Sequence, residues 1–163
     1  MRLVYEPDEQ GYLRDRLQSV DPPHGTEGLS LDAAQALLAR NHVGRLGFVR
    51  YDQPVLLPVN YAIDAQGDVV LRTTRGSKLY VAENEVVPAA FEVDEFDTAS
   101  GRGITVVVRG PMVAVVDLIE IRRLRDLDLN SFADAVERER WIRILPRSIE
   151  GWVFSPSGER APT

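Results

Sequence analysis

The chain contains no cysteine, and this absence excludes several classes of chemistry at once. Disulfides, thiolate nucleophiles, zinc–thiolate sites and cysteine-ligated iron–sulfur clusters all depend on this side chain. No stretch approaches the run of about 18 apolar residues that a membrane-spanning helix needs. The N-terminal residues lack an apolar segment followed by a small-residue cleavage site, so no signal peptide is predicted. We therefore expect a cytoplasmic protein that does not bind a membrane.

Positive charge is also in short supply. The 163 residues include 25 Asp and Glu but only 19 Lys and Arg, which gives a net charge of -6. Nucleic acids and anionic membranes are bound through basic patches, so neither partner is expected. A small anionic ligand in a local positive pocket is compatible with this balance. Lysine occurs only once, as Lys78, against eighteen arginines.

Common catalytic motifs are missing too. There is no G-x-S-x-G nucleophile elbow and no G-x-x-x-x-G-K-[ST] phosphate loop. The acidic residues of the run 92–97 are interpreted as solubilising a strand end, with Glu92 and Asp94 on one face, and no metal site is predicted. Trp141 is interpreted as a core or interface residue. No catalytic residue is assigned from these patterns.

The middle of the chain has the pattern of an antiparallel β protein. Segments rich in apolar and β-branched residues alternate with short turns at hairpin spacing. They cover residues 43–51, 55–63, 69–74, 87–96 and 104–116, and two short strand segments follow at 141–145 and 149–154. Gly110–Pro111 should bulge or break the longest strand, because proline cannot donate to a ladder.

Most of the predicted helices lie before or after this block of strands. Ser30 can cap a helix that ends near Asn41, and Asp117 precedes a helix with an apolar stripe at Leu118, Ile121 and Leu124. A further helix is predicted after residue 131. Because there is no βαβ alternation, we predict a mainly β fold, an antiparallel barrel of about six strands with peripheral helices. We divide the chain into an N-terminal arm (1–28), a barrel domain (29–155) and a C-terminal tail (156–163).

The stretch LRTTRGSKL, residues 71–79, concentrates groups that suit a phosphate. Its hydroxyl and basic side chains lie within seven residues: Arg72, Thr73, Thr74, Arg75, Ser77 and Lys78. Hydroxyls, guanidinium and ammonium groups and the free N–H groups of a helix start all bind phosphate oxygens, and a short helix can begin at Gly76 or Ser77. A turn with solvated charges at the end of a hairpin explains the same residues, and that alternative stays open here.

The wider sequence resembles the pyridoxamine 5′-phosphate oxidase-like family of flavin-binding split-barrel proteins, and within it the nitroimidazole-reductase-like branch. The similarity comprises, in order, GRLGF at 44–48, PVLLPVNYAID at 54–64, VVLRTTRGSKL at 69–79, VVPAAFEVDEFD at 86–97 and GITVVVRGPMVAVVD at 103–117. It covers residues 30–154. The resemblance implies a six-stranded antiparallel split barrel, usually a homodimer with FMN bound in the interface.

The resemblance also implies roles for particular residues. The FMN phosphate would be held by Thr73, Thr74, Ser77 and Lys78. Arg72 would contact the phosphate or the ribityl chain. The isoalloxazine ring would lie along Pro58, Val59 and Asn60, and Trp152 would stand beside the flavin.

By this resemblance, the protein is an FMN-binding oxidoreductase that acts on a small organic acceptor. It departs from true pyridoxamine phosphate oxidases at its end, SPSGERAPT, which lacks their substrate-binding arginine–histidine cluster. Vitamin B6 oxidation is therefore not implied. One alternative is a deazaflavin-dependent reductase, which would use extra basic residues such as Arg40, Arg45 and Arg50. The other is a non-catalytic flavin-binding or structural dimer.

Overall fold

The computed structural model describes residues 26–74, 84–127 and 139–156, together with Leu79, Val81 and Leu129. Eight strands and two helices occur within these residues. In chain order they are β1 (Thr26–Gly28), α1 (Leu31–Arg40), β2 (Val43–Arg50), β3 (Gln53–Ile63), β4 (Val69–Thr74), β5 (Val86–Asp97), β6 (Arg102–Val115), α2 (Leu118–Arg125), β7 (Glu139–Ile144) and β8 (Ser148–Phe154). Neither helix in this part of the chain is long and apolar enough to cross a bilayer. The helices predicted after Gly76 and after residue 131 lie mostly outside the described residues.

Six of the strands close into a barrel. The sheet order is β1-β8-β6-β5-β2-β3-β4-β7, and a further pairing of β6 with β7 joins the two sides. All recorded pairings are antiparallel. β8 and β1 extend the sheet beyond the ring, from the edge of β6. The predicted mainly β fold, a six-stranded antiparallel barrel with peripheral helices, is confirmed.

Helix α1 closes one end of the barrel interior. The Ser30 hydroxyl accepts a hydrogen bond from the Ala33 N–H (3.3 Å), which satisfies one of the donors exposed at a helix start. The helix ends at Arg40, as the sequence predicts. Its apolar side chains, with Leu37 fully buried, belong to the same cluster as the inward side chains of the strands. The Tyr61 hydroxyl donates to the Leu38 carbonyl (2.6 Å), so this core also contains a satisfied polar contact.

Strand β6 is not broken at Gly110–Pro111, so that prediction is wrong. β6 and β5 form twelve consecutive pairs, from Val86↔Val113 to Asp97↔Arg102, and Pro111 pairs with Pro88. Two prolines can face each other only at a non-hydrogen-bonded position, where no ladder bond is lost. What changes at this point is the partner on the other edge of β6. Residues 103–109 pair with β8, whereas residues 112–115 pair with β7.

The segment between β7 and β8 crosses β6 directly over Gly110. The Leu145 N–H donates to the Pro111 carbonyl (3.0 Å) and the Arg147 N–H to the Arg109 carbonyl (2.8 Å). A Cβ atom placed on Gly110 would lie 1.9 Å from the Leu145 carbonyl oxygen. Glycine is therefore needed here for close backbone approach rather than for an unusual dihedral angle.

A second, smaller core lies on the outer face of the barrel, under α2. It contains the buried side chains of Val70, Val115, Leu124, Leu129 and Trp141. The Asp117 carboxylate caps α2 by accepting from the N–H groups of residues 119 and 120. The predicted stripe on α2 is only partly correct, because Leu124 is buried whereas Leu118 is 71% exposed. The predicted core role of Trp141, which is 2% exposed, is confirmed.

Candidate functional site

The β3–β4 ladder is short, and it ends inside both strands. Its recorded pairs are Tyr61↔Leu71, Ala62↔Val70 and Ile63↔Val69. Beyond Tyr61, β3 continues to pair with β2. Beyond Leu71, β4 continues to pair with β7 as far as Thr74. Here β3 stays paired with β2 and β4 with β7, but β3 and β4 no longer pair with each other. Residues 58–60 and 72–74 therefore flank a split in the barrel wall.

The predicted cofactor residues of β3 alternate across this wall. Val59 is buried in the barrel core (8% exposed), so only its backbone can reach a ligand in the split. Pro58 is exposed and Asn60 is half-buried on the outer face. The predicted ring-binding segment therefore offers backbone groups and one amide side chain to the split.

The β4 residues that were predicted to bind phosphate also alternate between the outer and inner faces of the barrel wall. Arg72 is half-buried and lies on the same outer face as Val70, whereas Thr73 is buried (8% exposed) on the inner face. The backbone of Thr74 pairs with Glu139 at the end of the strand. Ser77 and Lys78 lie outside the described residues. The split thus brings the guanidinium-bearing end of β4 opposite residues 58–60 of β3.

Trp152 lies far from this split within one chain. It pairs with Thr105 of β6 on one side and with Gly28 of β1 on the other. Along the sheet, β8 is four strand positions from β3. With neighbouring strands about 4.8 Å apart, the path along the sheet from β8 to β3 is about 19 Å, and the path through β7 to β4 is about 14 Å. Within one chain, other strands of the sheet therefore lie between Trp152 and the remaining predicted residues.

The arginines singled out as spare basic residues are all engaged by carboxylates. Arg40 forms an ion pair with Glu95 (2.7 Å) and Arg50 one with Glu85 (3.5 Å). Arg45 pairs with Glu92 (2.9 Å) and with Asp94, so these two carboxylates do share a face of β5, as predicted. Hydrogen bonds from Arg40, and then from Asn41, lower the pKa of the Glu95 carboxyl to about 2. Among the described residues, no group of acidic and histidine side chains could hold a metal ion.

A buried ion-pair network fixes the turn between β3 and β4. Arg143 of β7 contacts Asp64 (3.1 Å), Asp68 (3.4 Å) and Glu120 of α2 (3.3 Å). Asp64 also accepts hydrogen bonds from the N–H groups of Gln66 and Asp68 within the turn. Burial, followed by the neighbouring Asp64, raises the pKa of the Asp68 carboxyl. Sequence reasoning missed this network, because Arg143 is distant in the sequence and only the strand register places it there.

An apolar patch is exposed on the outer face of β2, β3 and β5. We call it the outer apolar face, and it comprises Val49, Pro54, Leu56 and Pro88. Leu56 is 69% exposed and Val49 is 62% exposed. Gly47 and Ala90, which pair across the same strands, leave the centre of the face flat. The Arg45 ion pairs form its border.

Comparisons with known proteins agree with this fold. A family model described as Pyridoxamine 5′-phosphate oxidase matches residues 30–153. Uncharacterized protein Rv0080 of Mycobacterium tuberculosis is 34% identical over 103 residues, which cover 61% of this chain and 67% of the relative.

Solved structures give the same result. A candidate pyridoxamine 5′-phosphate oxidase from Corynebacterium glutamicum is 27% identical, with a TM-score of 0.67, over 83% of this chain and 97% of that one. An FAD binding protein from Mycobacterium smegmatis is 28% identical, with a TM-score of 0.65, over 78% of this chain and 99% of that one. The family match spans most of the chain, which confirms the resemblance seen in the sequence. The chain belongs to the pyridoxamine 5′-phosphate oxidase-like family.

Proposed function

We propose that the protein binds a flavin nucleotide, FMN, in the split between β3 and β4. The observation that carries this proposal is the end of the β3–β4 ladder at Tyr61↔Leu71. It leaves a basic, hydroxyl-bearing strand end opposite a strand segment with backbone groups available for a flat ring. The FAD-binding relative from M. smegmatis supports a flavin in this fold.

The donors near the split fit the two ends of a flavin nucleotide. Arg72, Thr73 and Thr74 end β4, and Ser77 and Lys78 follow Thr74 by three and four residues in the sequence. Guanidinium, ammonium and hydroxyl groups are the donors that bind phosphate oxygens. On β3, Pro58, Val59 and Asn60 would lie along the isoalloxazine ring. The phosphate would therefore sit at the end of β4 and the ring beside β3.

The contacts of three arginines favour a flavin over a deazaflavin with an acidic tail. Such a tail would need basic residues to receive it, and Arg40, Arg45 and Arg50 were the sequence candidates. Each of them is held by at least one carboxylate. Binding an acidic tail would first have to break these pairs, so we place the deazaflavin second.

The second subunit of a homodimer would complete the site. The outer apolar face groups exposed apolar side chains on adjacent strands, and contiguous apolar patches can mark interaction surfaces. A second copy packed across it by a two-fold axis would cover Leu56 and Val49. Trp152 also lies on the outer side of the sheet, so a partner subunit could supply it to the split. This arrangement would explain why one chain keeps Trp152 away from β3.

We further propose that the bound flavin serves an oxidoreductase reaction with a small organic acceptor. When bound, a flavin accepts and donates hydride equivalents itself, and the protein supplies binding, orientation and electrostatics. No acid–base pair is therefore required beside the split. A non-catalytic flavin carrier is the competing function, and it predicts tight flavin binding without oxidation of nicotinamide cofactors in the presence of any acceptor.

The direct test is the absorbance spectrum of freshly purified protein, before FMN is added and again after FMN is added and the unbound FMN is removed. We expect flavin absorbance in one of these states and a molecule with the mass of FMN on denaturation. Release of FAD would support flavin binding and show that the flavin is FAD rather than FMN. Release of a deazaflavin would support the alternative. A colourless protein that acquires neither cofactor would contradict the proposal.

A further inference from the structure

A surface pocket lies at the turn end of the β5–β6 hairpin, away from the proposed flavin site. Its volume is about 420 Å³, which is in the range of known binding pockets. The residues that line it are Glu95, Phe96, Asp97, Arg102, Gly103 and Ile104. The Glu95 carboxylate already accepts hydrogen bonds from Arg40, and the Asp97 carboxylate accepts one from the Ser100 hydroxyl (2.6 Å). Because both carboxylates are engaged, the pocket suits an apolar occupant.

Phe96 gives this pocket a fixed apolar wall. It pairs with Gly103 across the hairpin, and a Cβ atom on Gly103 would overlap the Phe96 ring. The ring therefore lies against the glycine backbone, where only glycine leaves room for it. Phe96 nevertheless remains 60% exposed. An apolar side chain that is already fixed in place can be covered without the cost of ordering it.

The N-terminal segment of the chain arrives directly beside this pocket. Thr26, where β1 begins, pairs with Phe154 of β8, and Phe154 pairs with Gly103 of the pocket. Two strand spacings of about 4.8 Å place Thr26 about 10 Å from Gly103. The residues before Thr26 therefore join the sheet at the end that carries the β5–β6 turn.

The sequence of this segment supplies apolar side chains within reach of the pocket. Residues 1–25 lie outside the described residues, but Leu13, Leu17 and Val20 recur in them at the spacing of one helix face. The residues DPPHG separate Val20 from Thr26. A chain of six residues spans up to about 20 Å, which is more than the distance to the pocket requires.

The other chain segment that borders the pocket is a poorer fit. Pro156 lies beside the β5–β6 turn, since a Cβ atom on Gly101 would lie 3.4 Å from the Pro156 Cγ. Residues 157–163, which follow it, contain no large apolar side chain. The composition therefore favours the N-terminal segment as the occupant.

We propose that residues 12–20 pack into the pocket of their own chain, with Leu13 and Leu17 against Phe96. This contact would hold β1 and the end of β8 against the β5–β6 hairpin. It does not depend on the proposed flavin site, so either proposal can fail while the other stands.

The first experiment measures trypsin cleavage after Arg16 in the full-length chain, with the products identified by mass. Proteolysis follows the population of the open form, so Phe96→Ala should raise the cleavage rate about tenfold or more. Leu118→Ala is the control, because Leu118 is a similarly exposed apolar residue on α2, and it should leave the rate unchanged. Equal cleavage rates in the wild type and Phe96→Ala would overturn the inference.

A distance measurement keeps the inference testable if Phe96→Ala does not fold. The chain has no cysteine, so Ser19→Cys and Ala99→Cys can carry two spin labels at positions outside the proposed contact. We expect a single short distance that is retained when labelled protein is mixed with excess unlabelled protein. A short distance that is lost on mixing would show that a second copy supplies the segment. That result, or a long or broad distance distribution, would overturn the inference.

Discussion

Two hairpins of the barrel that follow one another in the sequence differ sharply in how far they are paired. β5 and β6 form twelve consecutive pairs with no bulge, whereas β3 and β4 form three. The first hairpin, β5–β6, is paired along nearly its whole length, and β8 is added to the sheet at β6. The β3–β4 hairpin is paired only near its turn. The end of β4 beyond this ladder carries hydroxyl and basic residues. The difference indicates that the β5–β6 hairpin serves the fold, and the β3–β4 end is where we propose that a ligand binds.

The largest expected effect is on the free energy of unfolding, for a substitution at Gly110 in the fully paired β5–β6 hairpin. We expect Gly110→Ala to lower the free energy of unfolding by about 3 kcal/mol or more, because its Cβ would overlap the Leu145 carbonyl oxygen. Urea unfolding followed by circular dichroism measures this change. Gly28→Ala is the matched control, since a Cβ there has no heavy atom within 4 Å. Equal stability of the two variants would show that the crossing over β6 is not tight.

The next largest effect is expected on FMN binding, for a substitution at Lys78, which follows β4 in the sequence. We expect Lys78→Ala to weaken FMN binding by about 1.5–3 kcal/mol, the typical contribution of a hydrogen bond to a charged group. Arg122→Ala removes a positive charge from the exposed surface of α2 and should bind FMN like the wild type. Fluorescence titration of FMN gives both affinities. FMN affinity in Lys78→Ala equal to that of the wild type would remove Lys78 from the site.

A smaller effect is expected on assembly. Leu56→Asp places a charge in the outer apolar face, and desolvating it should weaken the proposed dimer about tenfold or more. Light scattering across a dilution series measures this change. Leu118→Asp is the control, because Leu118 is equally exposed but lies on α2. A wild type that is monomeric at all concentrations would contradict the proposed dimer.

The smallest effects are on pH dependence, and they have opposite signs in the two regions. Glu95, on β5, has its pKa lowered from 4.5 to about 2, so its contribution to stability is present above pH 4.5 and is lost as the pH falls towards 2. Asp68, in the β3–β4 turn, has its pKa raised above 3.8. Its contribution is therefore greatest below that pH and is lost as the pH rises through the folded-state pKa.

Urea unfolding at a series of pH values separates these two groups. Glu95→Gln should reduce the loss of stability in acid, and because this ion pair is exposed the change should be small. Asp68→Asn should remove a decline in stability that begins above pH 3.8. Variants whose stability depends on pH exactly as the wild type does would show that neither carboxyl responds to its surroundings as described.

Local signals predicted much of the fold. Ser30 and Asp117 cap helices where the sequence places them, because capping depends on residues only two or three positions apart. Pairings between strands that are distant in the sequence were harder to predict. The exchange of β8 for β7 along β6 depends on segments that follow β6 by more than twenty residues.

The candidate site was predictable only in part, for the same reason. The hairpin spacing of the predicted strands 55–63 and 69–74 indicated that they would be adjacent, and they are. The sequence did not predict where their ladder would end, nor that Trp141 would pair with Arg72. Trp152 was predicted by resemblance alone, and its distance from β3 is a property of the sheet order.

The most direct test of the central claim, that the end of β4 anchors a phosphate, is a comparison of ligands on the unaltered protein. Apo-protein is titrated with FMN and with riboflavin under identical conditions. If several charged and hydroxyl donors hold the phosphate, FMN should bind about a hundredfold more tightly, or more. Equal affinities for the two ligands would contradict the claim.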